Sequence, residues 1–163
     1  MRTMLSVLLL SSVALLANAE GLPSAVQAKL IGKLVNFEKG ISDKGKASIF
    51  VVGDNELAEQ LSRFAGKRLG RVELTSVDSA SQPPSTAYDV IYIGNDADVT
   101  SAIQYAREHN ALTLTGNTSW VDQGISVGLA VEAGKPKILL NLSAAKAEGV
   151  DWNPAVLKIA STQ

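Results

Sequence analysis

Ile49-Phe50-Val51-Val52-Gly53-Asp54-Asn55 decides the fold of this chain. An apolar, β-branched run this short reads as a buried strand. Glycine followed by Asp or Asn reads as a turn leading into a helix N-cap. The same grammar returns at Val90-Ile91-Tyr92-Ile93-Gly94-Asn95-Asp96 and at Leu112-Thr113-Leu114-Thr115-Gly116-Asn117-Thr118. If the three strands are parallel, their loops share one edge of one sheet. In open α/β sheets the carboxyl edge is where ligands and partners bind. Gly53, Asp54, Asn55, Gly94, Asn95, Asp96, Gly116 and Asn117 are therefore the candidate edge, together with Trp120 just beyond the third loop.

Working outward, the flanking segments alternate between helical and strand periodicity. Val26, Leu30, Ile31, Leu34 and Phe37 share one helical face, which predicts a helix over 21–39. Gly40 to Lys46 reads as a polar connector. Leu57, Leu61 and Phe64 predict a helix over 55–64, with Gly66 as its C′ residue. Arg71 to Val77 alternates like a half-buried strand, and Ser79 to Thr86 is a loop by composition. Ala97 to His109 is a helix burying Val99, Ala102, Ile103 and Ala106. Asp54 and Asp96 are expected to cap the helices that follow the first two strands.

The C-terminal third changes character. Ile125 to Val131 and Lys137 to Leu142 are apolar runs joined by five residues, a connection that permits only an antiparallel hairpin. Ser143 to Glu148 reads as a short helix stopped by Gly149. Asn153 and Pro154 start a last helix as cap and first helical residue. The predicted fold is α/β: a Rossmann-like mixed sheet of about six strands. Two parallel βαβ units, both right-handed crossovers, are followed by the hairpin, with helices on both faces.

The first residues belong to targeting rather than to the fold. Arg2 supplies a positive start, Met4 to Leu16 an apolar stretch, and Ala17-Asn18-Ala19 the small residues of a cleavage site. This predicts a secretory signal peptide over 1–19, since the apolar run of about 13 residues falls short of the ~20 needed to span a bilayer. One domain over 20–163 is expected to remain, without membrane insertion. A chain of that size buries roughly two-thirds of its unfolded surface, so it needs no disulfide, and the sequence contains no cysteine. Without Arg2, 14 basic side chains face 16 acidic ones, a net charge near −2. That balance argues against nucleic acid as a partner.

Catalytic groupings are sparse. His109 is the only histidine and is expected at a helix C-terminus, where a partly charged imidazole suits the dipole. No clustered metal ligands, P-loop, Gly-x-Gly-x-x-Gly or Gly-x-Ser-x-Gly element is present. No cofactor is expected. Asp54 and Asp96 could face one another as a carboxylate pair, but their positions favour capping. Helix N-termini attract anions, yet here each of the first two carries its own carboxylate. A cationic, amphiphilic or protein ligand suits such an edge better than a nucleotide. Trp120 is either a binding platform there or a loop anchor in the core.

The hairpin region, Gly124-Ile125-Ser126-Val127-Gly128-Leu129-Ala130-Val131 through Pro136-Lys137-Ile138-Leu139-Leu140-Asn141-Leu142-Ser143-Ala144-Ala145-Lys146, resembles the end of the YfiR family. Ala28 to Phe37 fits the family's opening helix. Val51-Val52-Gly53-Asp54, Ile91-Tyr92-Ile93-Gly94 and Leu112 to Gly116 fit its later segments. The resemblance implies a periplasmic, non-enzymatic regulator. Its partner would be the periplasmic part of an inner-membrane diguanylate cyclase or sensor kinase, whose activity it represses to control cyclic-di-GMP signalling. It also implies a homodimer and sequestration by an outer-membrane, peptidoglycan-associated lipoprotein. Two departures are plain. Without cysteine, disulfide-based redox control cannot operate, and Phe37-Glu38-Lys39-Gly40 replaces an aromatic-rich Trp-Pro end of the first helix. The alternative from the residues themselves is a periplasmic small-molecule binding module with the Gly53, Gly94 and Gly116 loops as its pocket.

Overall fold

A computed structural model describes residues 21–163; the expected signal peptide lies outside the described residues. One eight-stranded sheet runs through them in the order β2-β3-β1-β4-β5-β6-β7-β8. Its strands are β1 (Lys46–Val52), β2 (Arg68–Leu69), β3 (Val72–Ala80), β4 (Val90–Ile93), β5 (Leu112–Thr115), β6 (Val127–Glu132), β7 (Lys135–Leu140) and β8 (Ser161–Thr162). The helices are α1 (Ser24–Leu34), α2 (Lys39–Lys44), α3 (Asn55–Ser62), α4 (Val99–His109) and α5 (Leu142–Ala147). The expectation of about six strands is thus corrected to eight. The two additions, β2 and β8, are two residues each, too short to carry any period.

β3, β1, β4, β5 and β6 are mutually parallel, and β6 with β7 forms the antiparallel hairpin. Of these, β1, β4 and β5 are buried on both faces through most of their length, which is why they read as continuous apolar runs rather than alternating ones. Ile49 and Val51, Tyr92, and Leu112 and Leu114 pack with α1 and α3 on one face. Phe50, Val52, Ile91 and Ile93 pack with α4 on the other. Helices therefore cover both faces, as predicted. At the amino edge, the Asp89 carboxylate accepts hydrogen bonds from Ser48 N (2.8 Å) and Ser48 Oγ (2.9 Å), pinning the register of β1 against β4.

Several local boundaries differ from the sequence reading. The first helix ends at Leu34 rather than continuing to residue 39, because Asn36 folds back. Its Nδ2 donates to Gly32 O and to Leu69 O, each at 2.8 Å. The expected connector after it contains α2, capped by Glu38, whose Oε2 accepts from Ile41 N at 2.6 Å. The hairpin turn is two residues, Ala133-Gly134, both at positive φ, the geometry that matches the twist of paired strands. The last helix is a 3₁₀ turn over Pro154–Lys158, capped as predicted by Asn153. At the end of the chain, Glu38 pairs with Trp152 in an isolated bridge, and Lys39 meets Asp151 at 3.0 Å.

Candidate functional site

Because β1, β4 and β5 are parallel, the three Gly-Asx loops do emerge from one sheet edge. At the first loop Gly53 has φ 68° and donates its N–H to Ala80 O at 3.0 Å. Asp54 caps α3, its Oδ1 accepting from Leu57 N at 2.9 Å. At the second, Gly94 N donates to Val52 O at 2.8 Å and Gly94 packs directly on the first loop. A Cβ at 94 would come within 2.6 Å of the Asp54 Cβ. The absence of a side chain at 94 lets the two loops touch.

The expected capping role of Asp96 is corrected. α4 is capped by Asp98, whose Oδ1 accepts from Thr100 N (3.0 Å) and Ser101 N (3.3 Å) and whose Oδ2 accepts from Ser101 Oγ (2.8 Å). The Ser101 hydrogen bonds hold the Asp98 carboxyl below its ordinary range. The physical reason is a turn closed by Ala97 N donating to Gly94 O at 3.0 Å, which delays the helix by two residues.

Asp96 instead joins Gly53, Asp54, Asn55, Glu56, Ala80, Ser81 and Asn95 around a cleft of about 540 Å3. Three carboxylates and no basic side chain line it, so it repels anions, phosphates included. Among the described residues no group of three or more His, Asp or Glu is placed to hold a metal ion.

The third loop contributes less than expected. Asn117 Nδ2 reaches Asn95 Oδ1 at 3.4 Å, and Asn117 N is held by Thr115 Oγ1 at 3.0 Å. Gly116 faces away from the cleft, toward the Tyr92 hydroxyl and Gln27. Tyr92 donates to Gln27 Oε1 at 2.6 Å, and burial pushes the phenol well above its ordinary pKa. Trp120, on a 3₁₀ turn over Thr118–Trp120, packs half-buried against the α4-side core. It is a loop anchor and does not line the cleft. His109 ends α4 as predicted, its Nδ1 2.9 Å from Tyr105 O and its ring stacked on Tyr105 at 4.2 Å.

Sequence reasoning missed two features. Glu148, fully buried, accepts from Thr113 Oγ1 (2.5 Å), Ser126 Oγ (2.5 Å) and Thr113 N (3.1 Å). Burial pushes its carboxyl up to about 7, against the pull of these donors and of the Arg107 guanidinium. The paired hydroxyls Thr113 and Thr115 inside an otherwise apolar strand were the available signal of a buried polar partner. The second is an apolar groove of about 570 Å3 beside α1, lined in part by Gly32, Phe37, Phe64 and Leu69.

A mixed eight-stranded sheet covered by helices on both faces, with an acidic cleft at its carboxyl edge, defines an α/β domain. The chain belongs to the YfiR/HmsC-like family, whose model matches residues 24–161. No curated protein matches it significantly. A solved structure of a conserved domain protein from Vibrio cholerae O1 biovar eltor is similar, with TM-score 0.58 and 19% identity over 86% of this chain and 60% of that one. So is the ABC domain from Streptococcus pneumoniae solved in complex with L-Trp, with TM-score 0.56 and 12% identity over 83% and 59%. The chain thus spans about three-fifths of the length of these structures, and at such identities the likeness is one of fold. No helix among the described residues is long and apolar enough to cross a membrane.

Proposed function

We propose that this protein is a periplasmic, non-enzymatic regulator. It binds the periplasmic part of an inner-membrane diguanylate cyclase or sensor kinase and represses it, thereby setting cyclic-di-GMP signalling. The observation that carries the reading is the family match across residues 24–161. The acidic cleft at the carboxyl edge supports it by offering a charged surface for a partner. In this reading residues 1–19 are cleaved during export, residues 20–163 act as one domain, and the working form is a homodimer. An outer-membrane, peptidoglycan-associated lipoprotein is a second partner. The test is a pull-down from solubilised membranes, paired with cyclic-di-GMP measurement in a deletion strain. Recovery of a cyclase or kinase and raised cyclic-di-GMP are expected; failure of both overturns the reading.

A second reading, a small-molecule module at the Gly53 and Gly94 loops, is favoured by the cleft itself. Its acidic lining selects cationic or uncharged ligands. A thermal-shift screen separates the two readings, because a ligand at 100 times its dissociation constant adds about 2.7 kcal/mol to stability.

A further inference from the structure

The groove beside α1 shares no lining residue with the acidic cleft. Its floor and walls are apolar: Gly32, Phe37, Phe64, Leu69 and the exposed Ile159. Its volume, about 570 Å3, lies within the range of small-ligand sites. Two lysines, Lys29 and Lys33, line it one helical turn apart, and no carboxylate does. Lys39, Lys44, Arg63 and Lys137 each have an acidic partner within ion-pairing distance, whereas Lys29 and Lys33 have none among the described residues. Lys33 also suits the C-terminal end of the α1 dipole; Lys29 has no such role. Like charges at i and i+4 repel, and a bound anion relieves that repulsion.

We propose that this groove binds a free single-chain carboxylate, its acyl tail along Phe37, Phe64 and Leu69 and its head group between Lys29 and Lys33. The charge pattern selects the ligand: an apolar trough with cations and no anion accepts an anionic amphiphile and rejects a cationic one. This is the reverse of the acidic loop edge. The site is separate from that edge, so the proposal stands or falls independently of the regulator reading.

Isothermal titration of the purified protein with dodecanoate, below its micelle concentration, tests it. Saturable 1:1 binding is expected, with dodecyltrimethylammonium and butyrate binding at least tenfold more weakly. The double variant Lys29→Gln/Lys33→Gln changes only exposed side chains and should weaken dodecanoate at least tenfold, with at most a small drop in melting temperature from the lost Lys33–dipole interaction. Ile159→Asp should weaken it through the tail without touching the lysines. Equal binding of the cationic amphiphile, or dodecanoate affinity unmoved in the lysine variant, overturns the proposal. So does an absence of dodecanoate binding together with loss of a protein partner in that variant, which would make the groove a seat for an acidic amphipathic helix.

Discussion

Glu148, just past the end of α5, accepts a 2.5 Å hydrogen bond from the hydroxyl of Thr113 in the middle of β5. A carboxyl group thereby ties a surface helix to the buried sheet, with Ser126 of the segment before β6 as a third party. Its pKa is raised from 4.5 to about 7 chiefly by burial. Below about pH 4.5 the group is protonated in both folded and unfolded chains. Between there and about pH 7 the unfolded chain releases the proton while the folded chain keeps it. Stability therefore falls as pH rises through that window, by on the order of 3 kcal/mol. Urea denaturation at pH 5 and pH 8 should show the loss in the native protein and a much flatter response in Glu148→Gln. Equal slopes in the two proteins would assign the effect elsewhere.

The capping assignments separate three neighbouring carboxylates. Asp54→Ala and Asp98→Ala each remove an N-cap and should cost about 1 kcal/mol. Asp96→Ala removes no cap and should leave the urea midpoint unchanged. A loss at position 96 equal to that at 98 would contradict the geometry.

Gly94→Ala places a methyl group against the Asp54 Cβ and the Gly53 backbone. Neither neighbour is a flexible side-chain tip, so the two loops must part. A cost of about 1–3 kcal/mol follows from such overpacking. Thermal unfolding of the variant measures it, and a neutral result would show that the loops separate freely.

If the acidic cleft meets a protein partner, charge reversal should act far more on binding than on folding. Glu56→Lys and Asp96→Lys alter exposed residues of the cleft. Together they should abolish recovery of the membrane partner with only a small fall in melting temperature, from the loss of Glu56 at the start of α3. Retained recovery would move the contact surface off this edge.

The parts legible in the sequence were those with local signals. Ile49 to Val52, Val90 to Ile93 and Leu112 to Thr115 are buried on both faces, so their apolar runs announced the parallel strands and hence the shared edge. The Asn153–Pro154 start was legible from its capping chemistry, and the hairpin beyond Val127 from its short connection. Illegible parts depend on distant partners. Arg68–Leu69 and Ser161–Thr162 become strands only because β3 and β7 offer them an edge. The cap of α4 falls on Asp98 rather than Asp96 because the Gly94–Ala97 turn shifts the helix start. Trp120 follows its loop in sequence but turns to the α4 face. The groove unites Gly32, Phe64 and Ile159, which no window along the chain places together.

The strand order also divides the molecule along its own chain. Everything up to Ala80 contributes β2, β3 and β1, and everything from Val90 onward contributes β4 through β8, so the two halves meet along the β1/β4 seam. Only the largely exposed stretch from Ser81 to Ala87 carries the chain from one half's strands to the other's. A cut there would leave two polypeptides, each holding a contiguous block of sheet. The seam and the Glu38–Trp152 clasp would remain to rejoin them. Because one apolar core, from Leu22 to Val156, runs through both blocks, co-expressed halves should find each other across that core and the seam.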